Sequence, residues 1–114
     1  MEVQISTYEE FERQFKRLRK KYKSLREDFK DFVKSLKANP FQGVELKGNV
    51  RKIRMQISSK GKGKSGGARI LTLNILVNDT EGVDVTLLTI YDKNEMESVN
   101  DNFINDLVNK AKGE

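Results

Sequence analysis

The chain has 114 residues and a formal net charge of +5, and it contains neither cysteine nor histidine. The lack of cysteine excludes disulfides and thiolate catalysis, and the lack of histidine removes the commonest general base and zinc ligand. Any catalysis must therefore use lysine, arginine, tyrosine or carboxylate side chains, and we expect no metal and no cofactor.

The N-terminal segment predicts a short strand followed by helix. Val3 and Ile5 alternate with polar residues, which is typical of a strand, and Thr7–Glu10 has the pattern of a capping box. No glycine or proline follows until Pro40. Apolar side chains recur through this stretch at spacings of three and four, which predicts one helical stripe: Phe11, Phe15, Leu18, Tyr22, Leu25, Phe29, Phe32 and Leu36.

This stripe fits either one long helix, which would be an arm for assembly, or two shorter helices. Ser24–Glu27 has the pattern of a second capping box in the middle of the stretch. It favours a helical hairpin, with helices over Tyr8–Lys21 and Leu25–Lys37. Asn39–Pro40 and Gly43 then end the helical region.

The second half of the chain predicts three strands and a final helix. Asn49–Ser58 alternates between apolar and polar residues, whereas Arg69–Val77 and Val83–Tyr91 are almost wholly apolar, as central strands are. Ser98–Asp101 has the pattern of a cap for a last helix of about ten residues.

This order of elements (β-α-α-β-β-β-α) predicts an α+β domain over residues 1–114, with the helical hairpin packed on a small twisted antiparallel sheet. The central strands carry apolar residues on both faces of the sheet. The face opposite the hairpin therefore requires cover by the last helix or by a partner chain. No apolar run reaches the ~18 residues of a transmembrane helix, and the acidic start lacks an apolar signal region. We therefore expect a cytoplasmic protein that does not bind membranes.

The segment Ser58–Ile70 is rich in glycine and lysine and contains Gly63-Lys64-Ser65, the end of a nucleotide-binding P-loop motif. The full motif requires another glycine at the position of Ser58 and a helix after the loop, where this chain has a predicted strand. We therefore expect no nucleotide cofactor. The segment is predicted to be a basic hairpin loop, either merely solvated or directed at a polyanion.

Basic side chains are concentrated around this loop, since Leu46–Asn78 contains eight of them and no acid. Lys52 and Arg54 share one face of their strand, about 6.5–7 Å apart. They repel each other there but suit a phosphate, although an ordinary exposed sheet face explains them as simply. Arg69 has the parity of the apolar Leu71, which would be odd for a solvated residue and predicts either a bulge that shifts Arg69 or a bend of the strand at Gly66–Gly67.

Two runs in this half are specific in combination: VRKIRMQISSKGKGKSGGARILTLNI and LLTIYDKNEMESV. Together they resemble the RelE/HigB branch of the RelE/ParE toxin superfamily, the toxin halves of bacterial type II toxin–antitoxin modules. The likeness extends to FKRLRKKYKSLREDFKDFVKSLKANPFQGVELKGNVRKIR and so covers almost the whole chain. The predicted order of elements also fits that family's fold, a helical hairpin on a twisted antiparallel sheet.

The resemblance implies a ribosome-dependent mRNA endonuclease that a cognate antitoxin protein blocks. In such toxins the RNA 2′-hydroxyl attacks the adjacent phosphate without a metal, assisted by cations on the concave face of the sheet. By the resemblance, Lys52 and Arg54 match the family's basic pair, and Arg69 matches the arginine that contacts the scissile phosphate. Lys93 falls in the basic segment after the last strand. Tyr91 is the candidate acid, although its place at the end of an apolar strand fits a core aromatic slightly better.

Four other basic side chains near the loop are assigned to RNA and ribosome docking: Arg51, Lys60, Lys62 and Lys64.

Like charges are expected to lower the pKa of Lys52, which would then act as general base at neutral pH. The chain departs from the family pattern at Asn94, where many relatives have arginine, and at Asn100, where they have a stacking tyrosine, so the general acid stays open.

Two alternative functions use the same features. A ParE-like toxin shares the fold but inhibits DNA gyrase and cleaves nothing, and a non-catalytic RNA- or ribosome-binding domain would use the same basic block. The basic pair and Arg69 favour the nuclease over the gyrase inhibitor, because gyrase inhibition needs no phosphate-cleaving cluster. Basic charge alone does not separate the nuclease from the binding domain.

Overall fold

The computed structural model describes residues 2–60, 67–77, 81–96 and 99–113. Within these ranges the chain forms three α-helices, five strands and one short 3₁₀ turn, Ser58–Lys60. The bounds in chain order are β1 Val3–Thr7, α1 Glu9–Lys21, α2 Leu25–Ala38, β2 Val44–Glu45, β3 Val50–Met55, β4 Ala68–Val77, β5 Gly82–Asp92 and α3 Asp101–Ala111.

The strands form one sheet in the order β1-β5-β4-β3-β2. The predicted α+β fold is confirmed, but the sheet is mixed rather than wholly antiparallel, because β1 runs parallel to β5. Alternation identifies β1 as a strand without showing its neighbour. The pairing of β1 with β5 ends where the chain enters α1, and there the N–H of Tyr8 donates to the carbonyl of Leu87 on β5 at 3.0 Å. The additional strand β2 has two residues, too few for a periodic signal.

Helices α1 and α2 form the predicted hairpin, and the single long helix is excluded. The N–H of Tyr22 donates to the carbonyl of Leu18 at 2.9 Å and ends α1, and α2 begins at Leu25 with Ser24 as its N-cap. The apolar stripe of the hairpin packs on one face of the sheet. The buried residues of this core are Phe11, Leu18, Leu25, Phe32, Leu36, Ile53, Met55, Ile57, Ala68, Ile70, Val83, Val85, Leu87 and Ile90.

Neither predicted capping box forms. Thr7 still belongs to β1, so its hydroxyl lies before the helix and donates to the carboxylate of Glu12 at 2.5 Å. Ser24 is the N-cap of α2, but its side chain accepts no N–H from the first turn of the helix, and its hydroxyl donates to the Asp28 carboxylate at 2.7 Å. In both cases a nearby carboxylate takes the hydroxyl that the box would have used.

Helix α3 covers the opposite face of the sheet, as the apolar parity required. Its N-cap is Asn100, whose side chain accepts the N–H of Phe103 at 2.8 Å; the predicted cap began at Ser98, which lies outside the described residues. No helix in the described ranges is long and apolar enough to cross a membrane. The buried residues of this second core are Val50, Leu71, Leu73, Leu88, Tyr91, Ile104 and Leu107.

Candidate functional site

Three strands place Arg54, Arg69 and Tyr91 in one row across the sheet. Arg54 on β3 lies directly opposite Arg69 on β4, and Arg69 lies directly opposite Tyr91 on β5. Residues that face each other across neighbouring strands project from the same side of the sheet. Because Tyr91 belongs to the core under α3, the whole row lies on that side.

The hydrogen-bond pattern brings the two arginines of this row especially close. The N–H of Asn74 donates to the carbonyl of Asn49 at 2.9 Å, so these two residues are a hydrogen-bonded pair. Hydrogen-bonded and non-hydrogen-bonded pairs alternate along antiparallel strands such as β3 and β4. Arg54 and Arg69 are then a non-hydrogen-bonded pair, in which opposite Cα atoms are about 4.5 Å apart. Lys52 is two residues further along β3 on the same side, so three cations lie together.

Arg69 is buried, with only 8% of its surface exposed. The expected bulge at Arg69 is wrong: the irregularity lies further along, between Leu71 and Thr72, so Arg69 keeps the parity of Leu71. The alternative, a bend at Gly66–Gly67, involves Gly66, which lies outside the described residues. Its guanidinium donates to the carbonyl of Ala68 at 3.2 Å and has no carboxylate partner within the described ranges. Burial lowers the pKa of Arg69, and the charge of Arg54 lowers it further. A buried cation without a counterion is costly for the fold and suits an anionic ligand.

Tyr91 ends the row with a buried hydroxyl. The side chain is 5% exposed, and its hydroxyl has no hydrogen-bond partner among the described residues. Burial raises the pKa of Tyr91, while Arg69 acts in the opposite direction. The hydroxyl therefore stays protonated at neutral pH.

Lys52 and Lys93 complete the group of predicted catalytic residues. Lys52 is half-buried and lies opposite Leu71. Lys93 is half-buried directly after β5, where its N–H donates to the carbonyl of Gly67 at 3.2 Å. Arg54, Arg69, Tyr91 and Lys93 thus lie where the sheet meets the basic loop, and Lys52 lies two residues further along β3.

Arg51, predicted to dock RNA, is engaged inside the fold. It alternates with Lys52 and therefore projects from the other side of β3. Its Nε donates to the carbonyl of Gln42 at 2.9 Å, and its Nη1 lies 3.7 Å from the Glu45 carboxylate. These contacts hold the chain between α2 and β3, so Arg51 lies away from the arginine row.

Lys60, also predicted to dock RNA, is held at the root of the loop. Its ammonium lies 2.9 Å from Asp92, a fully buried carboxylate, and 5.4 Å from the ring centre of Tyr22. Its side chain therefore faces the helical hairpin instead of the arginine row. The two remaining docking residues, Lys62 and Lys64, lie outside the described residues.

Asp28 and Asp92 are the important residues that the sequence analysis missed. Asp28 accepts the N–H and the hydroxyl of Ser58 at 2.8 and 2.6 Å, and Asp92 accepts from Lys60. The two carboxylates thus tie the first turn of the basic loop to α2 and to β5. Their partners are 30 and 32 residues distant in sequence, so no local pattern could reveal them.

The described ranges contain no group of three or more carboxylates able to hold a metal ion. No family model matches the sequence. The fold is similar to a solved structure of the E. coli toxin RelE, a doubly substituted mutant in the free state. The two chains share 19% identity, the match covers 85% of this chain and 90% of that chain, and the TM-score is 0.52. The RelE-like fold predicted from the resemblance is therefore confirmed.

Proposed function

We propose that this protein is the toxin of a type II toxin–antitoxin system and that it cleaves mRNA on the ribosome. The observation that carries the proposal is the row of Arg54, Arg69 and Tyr91, because two adjacent cations without carboxylate partners in the described ranges form a ready site for a phosphate. The RelE-like fold is consistent with this activity.

The reaction we propose is transesterification at a phosphodiester. The 2′-oxygen of the RNA forms a bond to phosphorus while the bond from phosphorus to the 5′-oxygen breaks. Lys52 accepts the proton of the 2′-hydroxyl, and Tyr91 gives a proton to the departing 5′-oxygen. The products are a 2′,3′-cyclic phosphate and a 5′-hydroxyl, so atoms and charges balance without a metal or a cofactor.

The arginines contribute by stabilising charge in the transition state. The pentacovalent phosphorus carries more negative charge than the ground state, and cations already in place bind it preferentially. Removing one such donor typically lowers the rate by about 10²–10³-fold. Arg69 is buried and held by the sheet, so it is the principal phosphate contact. Arg54 is exposed and acts as the second contact, and Lys93, directly after β5, assists.

We further propose a cognate antitoxin as the physiological partner, and the ribosome and its mRNA as the targets. The antitoxin would carry carboxylates that neutralise the cationic row and apolar residues that extend its contact with the sheet. Lys62 and Lys64 remain the proposed docking cations. Their replacement is expected to weaken association and its dependence on salt more than it slows cleavage.

The experiment is primer extension on cellular mRNA after induction of the wild type and of Arg69→Ala at equal expression. New cleavage ends and growth arrest with the wild type alone are expected, and co-expression of the antitoxin should remove both. Growth arrest without new ends would point to gyrase inhibition instead. Ribosome binding without new ends would indicate the non-catalytic RNA-binding domain.

A further inference from the structure

A cavity of about 390 Å³ lies where β4 ends, at the far end of the sheet from the arginine row. We call it the end cavity. Leu76, in its lining, is about 23 Å from Arg69 along β4, so the cavity is separate from the candidate catalytic site. The lining residues used below are Phe41, Glu45, Arg51, Asn74, Ile75 and Leu76.

Large apolar side chains that remain exposed are concentrated at this cavity. Five such side chains occur in the described ranges, and three of them line the end cavity: Phe41, Ile75 and Leu76. Leu76 is the most exposed of the five, at 67%. Exposed apolar surface that is contiguous, rather than scattered, marks sites of contact with other molecules.

Phe41 is exposed although the segment that carries it is firmly held. Nδ2 of Asn74 donates to the carbonyl of Pro40 at 2.7 Å, and Nε of Arg51 donates to the carbonyl of Gln42 at 2.9 Å. The peptide groups on both sides of Phe41 are therefore anchored to β4 and β3. The cavity is preformed, which lowers the cost of ordering it around a partner.

The charges in the lining are balanced, and this balance favours one kind of partner. Glu45 and Arg51 are the two charged residues of the lining, and the Glu45 carboxylate lies 3.7 Å from Nη1 of Arg51. A strongly acidic or basic partner gains no net attraction here, unlike at the arginine row. A second copy of the chain does gain, because a two-fold axis places the same surface opposite itself. Glu45 of each copy then faces Arg51 of the other.

Leu76 and the end cavity are complementary in the same reciprocal way. The side chain protrudes beside a hollow whose walls include Phe41 and Ile75, so a two-fold contact inserts each Leu76 into the hollow of the other copy. A standard interface buries about 800 Å² per partner, more than three exposed side chains and their rim supply. The association is therefore weak and depends on concentration.

We infer that this chain forms a weak two-fold dimer through the end cavity, with Leu76 of each copy seated in the cavity of the other. The inference goes beyond the proposed function and does not depend on it. The two arginine rows lie about 23 Å along the sheet from the contact, so self-association leaves them open.

Sedimentation velocity of the full chain between about 5 and 500 µM tests for the dimer. The mean sedimentation coefficient of the wild type should rise with concentration from the monomer value towards the dimer value. Leu76→Glu should raise the dissociation constant at least about tenfold, because it brings a carboxylate into an apolar contact. Met96→Glu is the matched control, since Met96 is exposed but lines a different cleft. A coefficient that stays constant over the range, or equal effects of the two substitutions, would overturn the inference.

Dilution of the wild type, followed by NMR, locates the contact without relying on any variant. The side-chain amides of Asn49 and Asn74, which line the end cavity, should shift with concentration, whereas the amide of Gln14 on α1 should not. Concentration-dependent shifts confined to other amides would place the contact elsewhere and refute the inference. It would also fail if the wild type stays monomeric and Leu76→Glu abolishes antitoxin binding, because the surface would then belong to the antitoxin.

Discussion

The hydroxyl of Tyr22, in the turn of the helical hairpin, donates a hydrogen bond of 2.5 Å to the carboxylate of Asp92 at the end of β5. Lys60 approaches the same carboxylate from the root of the basic loop. The buried side chain of Asp92 therefore joins the hairpin, the basic loop and β5, the strand that carries Tyr91. Burial acts to raise the pKa of Asp92, but hydrogen bonds from Tyr22 and Lys60 outweigh it, and the pKa lies below its ordinary value.

Replacing Asp92 by asparagine should destabilise the fold strongly. The change removes the buried carboxylate that pairs with the ammonium of Lys60 and accepts the hydroxyl of Tyr22. Removal of one partner of a buried ion pair typically costs about 3–5 kcal/mol. Urea unfolding measures the loss. Asp106→Asn is the matched control, because Asp106 forms an exposed pair with Lys110 on α3 that contributes less than about 0.5 kcal/mol. Equal stability of the two variants would contradict the role of Asp92.

Tyr22 should make the stability of the protein fall at alkaline pH. Burial, followed by the hydrogen bond to Asp92, raises the pKa of Tyr22 to about 12, whereas an unfolded tyrosine titrates near pH ~10. A raised pKa contributes stability that is present below pH ~10 and is lost as the pH rises towards the folded value. The difference in unfolding free energy between the wild type and Tyr22→Phe should therefore shrink above pH ~10. A difference that stays constant at alkaline pH would refute this assignment.

Tyr91→Phe should leave the stability unchanged or raise it by up to about 1 kcal/mol, because the buried hydroxyl that it removes has no partner among the described residues. Tyr22→Phe is the matched comparison, since it removes a hydroxyl bonded to a carboxylate and should cost about 2 kcal/mol. If Tyr91 is the proton donor, its variant should also cleave about 10²-fold more slowly. Destabilisation of Tyr91→Phe to the level of Tyr22→Phe would show that the hydroxyl has a structural partner.

The pairing of Arg54 with Arg69 should make phosphate a stabilising ligand. An anion that binds the folded chain alone raises the thermal midpoint as its concentration rises. At constant ionic strength, phosphate should raise the midpoint of the wild type more than that of Arg54→Gln. Arg19→Gln on the exposed side of α1 controls for the general effect of phosphate on burial. Parallel shifts in all three proteins would argue against a site between the arginines.

The hairpin, the central strands and the side of the sheet that carries Lys52 and Arg54 could be predicted from periodicity, because burial imposes a repeat of about 3.6 residues on helices and two on strands. The conformation of Arg69 could not. Because Arg69 falls at a position where its strand is otherwise apolar, the sequence suggested that a bulge or a bend displaces it. In the structure Arg69 keeps that buried position, which only the packing of its neighbours reveals. The contacts of Arg51 and Lys60 could not be predicted either. Within a basic stretch of sequence, a solvated cation cannot be distinguished from one that is held by groups inside the fold.

The central claim is that the row containing Arg69 cleaves a phosphodiester. Its most direct test is the single-turnover rate of mRNA cleavage by purified protein on programmed ribosomes, for the wild type, Arg69→Ala and Arg19→Ala, each confirmed as folded by thermal melting. We predict a loss of about 10²–10³-fold for Arg69→Ala, less than about twofold for Arg19→Ala, and a 2′,3′-cyclic phosphate on the upstream fragment. Cleavage by Arg69→Ala at the wild-type rate would contradict the account, as would a product with a free 3′-hydroxyl.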